Sequence, residues 1–326
     1  MRRSFALLVL ATAVAATACG GSPSETASGQ GSDRGPAVTQ VDVGVLPLAA
    51  VAPVYLGIAQ GFFAEEGLEV TPQQAQGGAA LLPAVASGEM EFAYSNNVSL
   101  ITAHSAGLGI QIIANGNDES DDVESASSTV VSKAGSDVVE PADLAGATIA
   151  VNTLNNIGDI TIKAALEKDG VDVSGIEFVE MGFPDMISAL ERDLVDAVWL
   201  VTPFTGAAAA AGHQVVLRPF YDTQPGLSIG TYFTSSRYAE QNPGVVASFT
   251  RAMNRSLEYT QAHPDELRSA VLEFTEIPEA VVKTMTLPEF GPEIDRADLE
   301  LTAQLMVKYG VIEEMPDLAM LVRAGQ

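Results

Sequence analysis

One cysteine in 326 residues, at position 19, leaves no pair for an internal disulfide, so the fold depends on its core. Basic residues are scarce: 16 Lys and Arg against 42 Asp and Glu give a formal net charge of −26. Phosphate binding needs clustered Lys and Arg, and this balance argues strongly against a nucleic-acid partner. No apolar run reaches the roughly twenty residues that a membrane-spanning helix needs. The three histidines, His104, His213 and His263, stand far apart, and His263, just before Pro264, reads as a capping or exposed residue at a helix end. The chain also lacks a Gly-x-Ser-x-Gly turn, a Gly-x-x-x-x-Gly-Lys phosphate loop and a metal-ligand cluster. No cofactor is expected.

The N-terminus has the layout of an export signal. Met1-Arg2-Arg3 is followed by fourteen apolar or small residues, Phe5 to Ala18, and then by Cys19-Gly20-Gly21-Ser22. This resembles a bacterial lipoprotein signal (residues 1–18) in which Cys19 is lipidated, although Ala16 stands where such signals usually carry leucine. An ordinary cleaved signal is the alternative. Residues 19–38 contain almost nothing apolar and read as a flexible tether. Eighteen such residues reach on the order of 23 Å. The acidic run Asp118 to Glu124 lacks the spaced oxygen ligands and central glycine of a calcium loop, and reads as a solvated surface loop.

The rest of the chain repeats itself. Glu66-Gly67-Leu68-Glu69-Val70 aligns with Asp169-Gly170-Val171-Asp172-Val173, 103 residues later. Gly78 aligns with Gly182, and Ala84 to Tyr94 with Ala189 to Trp199 at an offset of 105. Each copy reads strand, turn, helix, strand, turn, helix, strand, which predicts two α/β lobes built on parallel sheets. The boundaries are residues 39–127 plus 235–326 for the first lobe and 128–234 for the second, with crossings near 125–130 and 233–237 as a hinge. Beyond residue 242 the pattern is helical. Val246, Phe249, Met253, Leu257 and Tyr259 form one apolar stripe and Leu299, Leu301, Leu305 and Met306 another, both expected to pack on the first lobe.

In open α/β sheets a ligand sits beyond the carboxyl ends of the strands. The duplication puts those ends at Leu46 to Leu48, Ser95 to Asn97, Asn152 to Asn156 and Leu200 to Phe204. The third is the most distinctive: after Thr148 to Val151 come Asn152, Thr153, Asn155, Asn156 and Gly158, and then a helical pattern that stops at Asp169-Gly170. A strand that feeds a helix in this way leaves backbone N–H groups facing whatever lies in front of it. Tyr94 and Trp199 occupy matching places in the two copies. Each reads either as packing or as a wall of the cleft, and Tyr55 on its helix carries the same two readings.

In order along the chain, Ala52 to Val70, Ala84 to Glu91, Asp143 to Ala150, Val195-Asp196-Ala197 and Asn242 to Phe249 together resemble the solute-binding proteins of ABC importers. The branch is that of the nitrate, alkanesulfonate, taurine and thiamine-pyrimidine binders, and the match runs from about residue 40 to the end. The resemblance implies a type II periplasmic-binding fold, a hinged monomer that closes on a small solute. It also implies an extracytoplasmic location on a lipid anchor and delivery to a membrane permease served by separate ATPase subunits.

The strand-end turns carry no Lys or Arg. Planar anions are commonly clamped by arginine, whereas amides offer both donors and acceptors to a neutral ring. A neutral nitrogenous heterocycle, such as a thiamine-pyrimidine precursor, is therefore the expected solute, with nitrate, alkanesulfonate or taurine as alternatives, since backbone amides alone can hold an anion. A surface sensor is a further reading. A pyrimidine-synthesising enzyme is the remaining one, but relatives with that activity use a cysteine-rich iron site, which this chain lacks. The candidate ligand-binding residues are Leu48, Tyr55, Gly78, Tyr94, Asn96, Asn97, Asn152, Thr153, Asn155, Asn156, Phe183, Trp199, Thr202, Phe204 and Tyr232. Arg218 is the one basic residue placed near the cleft, and is expected at the surface.

Overall fold

The computed structural model describes residues 38–323. The signal segment, Cys19 and the tether up to residue 37 lie outside the described residues. Ten strands form two sheets. They are β1 (Thr39–Val45), β2 (Leu68–Gln74), β3 (Phe92–Asn96), β4 (Ile110–Asp118), β5 (Ser128–Ser132), β6 (Thr148–Val151), β7 (Glu177–Glu180), β8 (Ala197–Val201), β9 (Gln214–Leu217) and β10 (Ser228–Ser235).

The first sheet runs β2-β1-β3-β10-β4 and the second β7-β6-β8-β5-β9. Equivalent ladders recur in both: Val43 pairs with Phe92 in one, Ile149 with Ala197 in the other. The duplication read from the sequence is thus a duplication of topology. Parallel sheets were expected, and each instead contains one antiparallel strand. β10 runs against β3 and β4, and β5 runs against β8 and β9. Both antiparallel strands follow a crossing from the other lobe, so they enter from the opposite direction.

The return crossing also lies earlier than the sequence suggested. All eight residues of β10 are buried, and they pair on both sides within the first sheet. Residues 228–234 therefore belong with the first sheet, and the chain returns between Leu217 and Ser228. A central strand buried on both faces gives no local sign of which sheet it will join.

The helix Pro243–Ala262 covers the first sheet with Val246, Phe249, Met253 and Leu257, all fully buried. Phe249 stacks on Phe92 at 4.0 Å. Tyr259 leaves the stripe: it is half-buried, donates its hydroxyl to Glu266 (2.8 Å) and stacks on His263. His263 places Nδ1 2.7 Å from the Tyr259 carbonyl at the end of that helix, which is a capping role. On the helix Arg296–Lys308, Leu299 and Met306 are buried. Leu301 and Leu305 instead border a surface groove with Ala164, Lys168 and Thr223 of the second lobe. Lys308 closes this contact with an ion pair to Glu167, which also accepts the Tyr309 hydroxyl at 2.9 Å. That stripe bridges the lobes instead of serving the first alone.

Both crossings meet at one polar knot, which corrects the solvated-loop reading at Asp118 and Glu119, while Asp121, Asp122 and Glu124 are exposed as expected. Asp118 ends β4 opposite Ser228, the first residue of β10. Its carboxylate accepts from Asn115 Nδ2 at 3.1 Å, and the Ser228 N–H donates to Asp298 at 2.7 Å. Glu119 is 1 % exposed. It accepts the N–H groups of Ser120 and Ser127 and the Ser127 hydroxyl, so the first crossing folds around its carboxylate. Six polar or acidic residues among seven look soluble in the sequence, but hydrogen-bond donors on the neighbouring turns make two of them structural.

Burial pushes the Asp118 carboxyl up to about 7, with Asn115 and Ser228 opposing the shift and Asp298 and Asp295 adding to it. Unfolded, an aspartate titrates near 3.9. Between about pH 4 and pH 7 the folded chain therefore holds the extra proton, and stability falls as pH rises through that window. Asp118→Asn is expected to flatten this slope, gaining on the order of 1–3 kcal/mol at pH 8 relative to its effect at pH 4. Urea midpoints of both proteins across that range check it, and parallel profiles would refute the assignment.

Candidate functional site

The carboxyl ends of β1, β3, β6 and β8 point into the gap between the two sheets. A cavity of about 50 Å³ lies there, so a ring-sized solute needs the two walls to part. The first lobe contributes Leu46, Leu48, Ala50, Tyr94, Asn96 and Asn117 to its wall. The second contributes Asn152, Ile157, Phe183, Trp199, Val201, Thr202 and Phe220. Ser127, Ile229 and Pro288 complete the lining. Lys, Arg, His, Asp and Glu are all missing from this set.

Two large rings are fixed on opposite walls. Tyr94 is 3 % exposed and donates its hydroxyl to Asn117 Oδ1 at 2.6 Å. Its ring lies against Gly230, where a Cβ would come within 2.3 Å of the hydroxyl. Burial raises the phenol well above its usual range, reinforced by Asp118, so Tyr94 is a neutral donor. Trp199 donates Nε1–H to Ser128 Oγ at 2.7 Å and is flanked by Phe183 and Phe220 at 5.6 and 5.8 Å. Both readings of the tryptophan hold, since it is 2 % exposed and still faces the cavity. Gly158, in the first turn of the helix Ile157–Lys168, leaves the room this ring needs.

The asparagine-rich turn after β6 holds its own carboxylate. Asp159 is 2 % exposed and accepts from the N–H groups of Asn155 (2.8 Å), Asn156 (2.6 Å) and Ile160 (3.1 Å). Burial raises its pKa, while these backbone donors and Lys163 oppose the rise. The Leu154 N–H donates to Glu180 at 3.2 Å, and the Ile157 N–H to Asn156 Oδ1 at 2.9 Å. Asn156 also spans the cleft, donating Nδ2–H to Ser99 Oγ at 2.9 Å. Across the same gap, the Ala49 N–H donates to the Thr202 carbonyl at 3.1 Å. Asn96 caps the helix Asn97–Ser105 by accepting the Ser99 N–H at 2.9 Å, which leaves its amide nitrogen for the cavity. Asn152 Oδ1 is buried without a partner.

Seven of the fifteen residues expected at the site therefore line one cavity: Leu48, Tyr94, Asn96, Asn152, Phe183, Trp199 and Thr202. Thr153 lies in an outer groove with Gln76, Gly77, Glu180 and Asp185. Phe204 stacks on Phe183 (5.5 Å) and lines a separate groove. Tyr55 is drawn away by stacking on Phe274 at 4.2 Å. Gly78 faces Ser95, where a Cβ would meet backbone at 2.9 Å. Asn97 donates to the Ser228 carbonyl and accepts from Thr231, so it anchors β10. Asn155 and Asn156 shape the turn, with Asn155 at φ 51°. Tyr232 is fully buried behind Tyr94, edge-on at 5.5 Å. Arg218 is not among the lining residues; its N–H donates to Asp222.

Asn117 was missed, although an asparagine closing the apolar strand Ile110–Asp118 is the signal that also marks Asn152. Phe220 and Pro288 come from outside the duplicated strand ends and carry no local signal. Among the described residues no group of His, Cys, Asp and Glu is arranged to hold a metal ion, and no helix is long and apolar enough to cross a membrane.

A family model described as NMT1/THI5 like matches residues 49–267. The formylaminopyrimidine-binding protein of Halalkalibacterium halodurans is 25% identical over 229 residues, covering 69% of this chain and 67% of the relative. The riboflavin-binding protein RibY of Chloroflexus aurantiacus is 25% identical over 283 residues, covering 84% and 77%. Among solved structures, the alkanesulfonate-binding protein SsuA of Xanthomonas axonopodis pv. citri superposes with a TM-score of 0.74 at 18% identity, over 87% of this chain and 98% of that one.

A Cβ at position 158 would lie 2.7 Å from the Trp199 ring, so Gly158→Ala must push the indole into the cavity. Solute affinity is expected to fall about tenfold or more, with a stability loss of about 1–3 kcal/mol. Calorimetric titration and thermal melts of the variant check both, and unchanged affinity would remove Trp199 from the wall.

Proposed function

Because the chain belongs to the NMT1/THI5-like family, we propose that it is the extracytoplasmic solute-binding component of an ABC importer, and that its solute is a small uncharged nitrogenous ring. The observation that carries the ligand reading is the cavity wall: sixteen residues, none of them charged at neutral pH, the one titratable group being the phenol of Tyr94, which burial raises further. A buried anion or cation facing such a wall would lose its hydration without gaining a countercharge.

A flat heterocycle finds what it needs there. Trp199 and Phe183 offer faces to stack on. The Asn96 amide and the unpartnered Asn152 Oδ1 suit the donor and acceptor edges of the ring. Two of three relatives of similar identity carry names that specify a formylaminopyrimidine and riboflavin, both nitrogenous rings, while the third, of Escherichia coli, is named for taurine. An anionic solute, in the manner of the sulfonate binder of like fold, is the second reading. It is favoured by the two helix N-termini that meet at Ser99 and Asn156.

Binding would work by closure. A solute that touches both walls stabilises the closed arrangement by its differential affinity, and the cross-cleft bonds of Asn156 and Ala49 add to that arrangement. Delivery falls to a separate permease and ATPase. Lipid attachment through Cys19 belongs to the same proposal and accounts for a lone cysteine behind an apolar leader. As a binding protein the chain has no need of catalytic groups.

Thermal shift with a panel of pyrimidines, flavins, nitrate and sulfonates tests the solute class. A ring compound at a hundred times its dissociation constant is expected to add about 2.7 kcal/mol. A response confined to nitrate or sulfonates would reverse the reading.

A further inference from the structure

We propose that Asp159 is the residue that refuses anionic solutes, its carboxylate occupying from within the backbone site on which a sulfonate or nitrate would otherwise settle. The inference deepens the uncharged-solute reading above and rests on it. A strand–turn–helix junction at the end of a parallel strand is the natural seat for an anion, because its free N–H groups and the helix dipole point the same way. Here five of the donors around the turn are already spent. Asn155, Asn156 and Ile160 give their N–H groups to Asp159, Leu154 gives its own to Glu180, and Ile157 to the Asn156 side chain.

This charge sits directly behind the wall. Asn152 and Ile157, on either side of the turn, line the cavity, and Gly158 lies under the Trp199 ring. An anion entering the cavity therefore meets the negative end of an ion–dipole arrangement where the fold would ordinarily offer a positive one. It also meets the buried, unpartnered oxygen of Asn152. Lys163, one turn further along the same helix, does not undo this at the cavity, because its ammonium lies over the rings of Phe178 and Tyr309 at 5.2 and 5.7 Å. At an effective dielectric near 20, one charge several ångströms away is enough to change anion affinity by about tenfold or more. A capping carboxylate that only shaped the helix would have no such effect.

The test uses Asp159→Asn and Asp159→Ser, whose oxygens can still accept an N–H of the turn, with Asp159→Glu restoring a capping carboxylate. Asp143→Asn serves as the control: Asp143 is likewise a capping carboxylate, accepting the N–H groups of Val139 and Glu140, but lies before the amino end of β6, away from the cavity. Nitrate and ethanesulfonate are titrated calorimetrically into each variant that shows a cooperative melt. The expected result is refusal by the parent, Asp159→Glu and Asp143→Asn, and binding about tenfold tighter or more by both Asp159→Asn and Asp159→Ser. Refusal by either folded variant lacking the carboxylate overturns the role of Asp159 and leaves the uncharged-solute reading standing. An equal gain in Asp143→Asn also overturns it, by reducing the effect to net charge. Tight ethanesulfonate binding by the parent instead defeats the uncharged-solute reading itself.

Discussion

Three backbone N–H groups closing on the Asp159 carboxylate fix the turn around which the cleft is organised. That clasp sets Asn152 and Ile157 in the cavity wall and aims the Asn156 amide across the gap to Ser99. It also starts the helix Ile157–Lys168 at the place where Gly158 can slide beneath Trp199. Without the clasp a run of asparagines would have no single conformation, since such side chains compete with the backbone for its own hydrogen bonds. Asn152 gives the second lobe's wall hydrogen-bonding capacity and no charge of its own.

Much of this was legible in the sequence because it was written twice. Offsets of 103 to 105 residues between matching stretches located the strand ends, and four residues picked from those ends meet in one cavity with three aromatics read from beside them. The apolar stripe from Val246 to Leu257 was equally plain, because a helix covering a sheet must repeat its buried face every three to four residues. The residues that went elsewhere did so for tertiary reasons. Tyr55 found Phe274, an aromatic two hundred residues on, and Asn97 found the backbone of β10. Spacing along the chain cannot tell a side chain facing a cavity from its neighbour facing the strand behind.

The acidic segment after β4 failed for a different reason. Composition marks Asp118 and Glu119 as solvent-facing, yet the fold brings amide and hydroxyl donors of Asn115, Ser120 and Ser127 to them. Burial of these carboxylates ties both crossings to a common point, so the hinge is held by polar contacts that need specific partners. The cavity follows the opposite rule. Its walls carry no charged side chain and present a few neutral donors and acceptors.

The order of the strands ties the two lobes together. In each half the first four strands build one sheet and the fifth strand crosses to complete the other: β5 leaves the first half for the second sheet, and β10 leaves the second half for the first. Neither half therefore closes its own sheet, and each lobe is completed by a strand that the other half supplies.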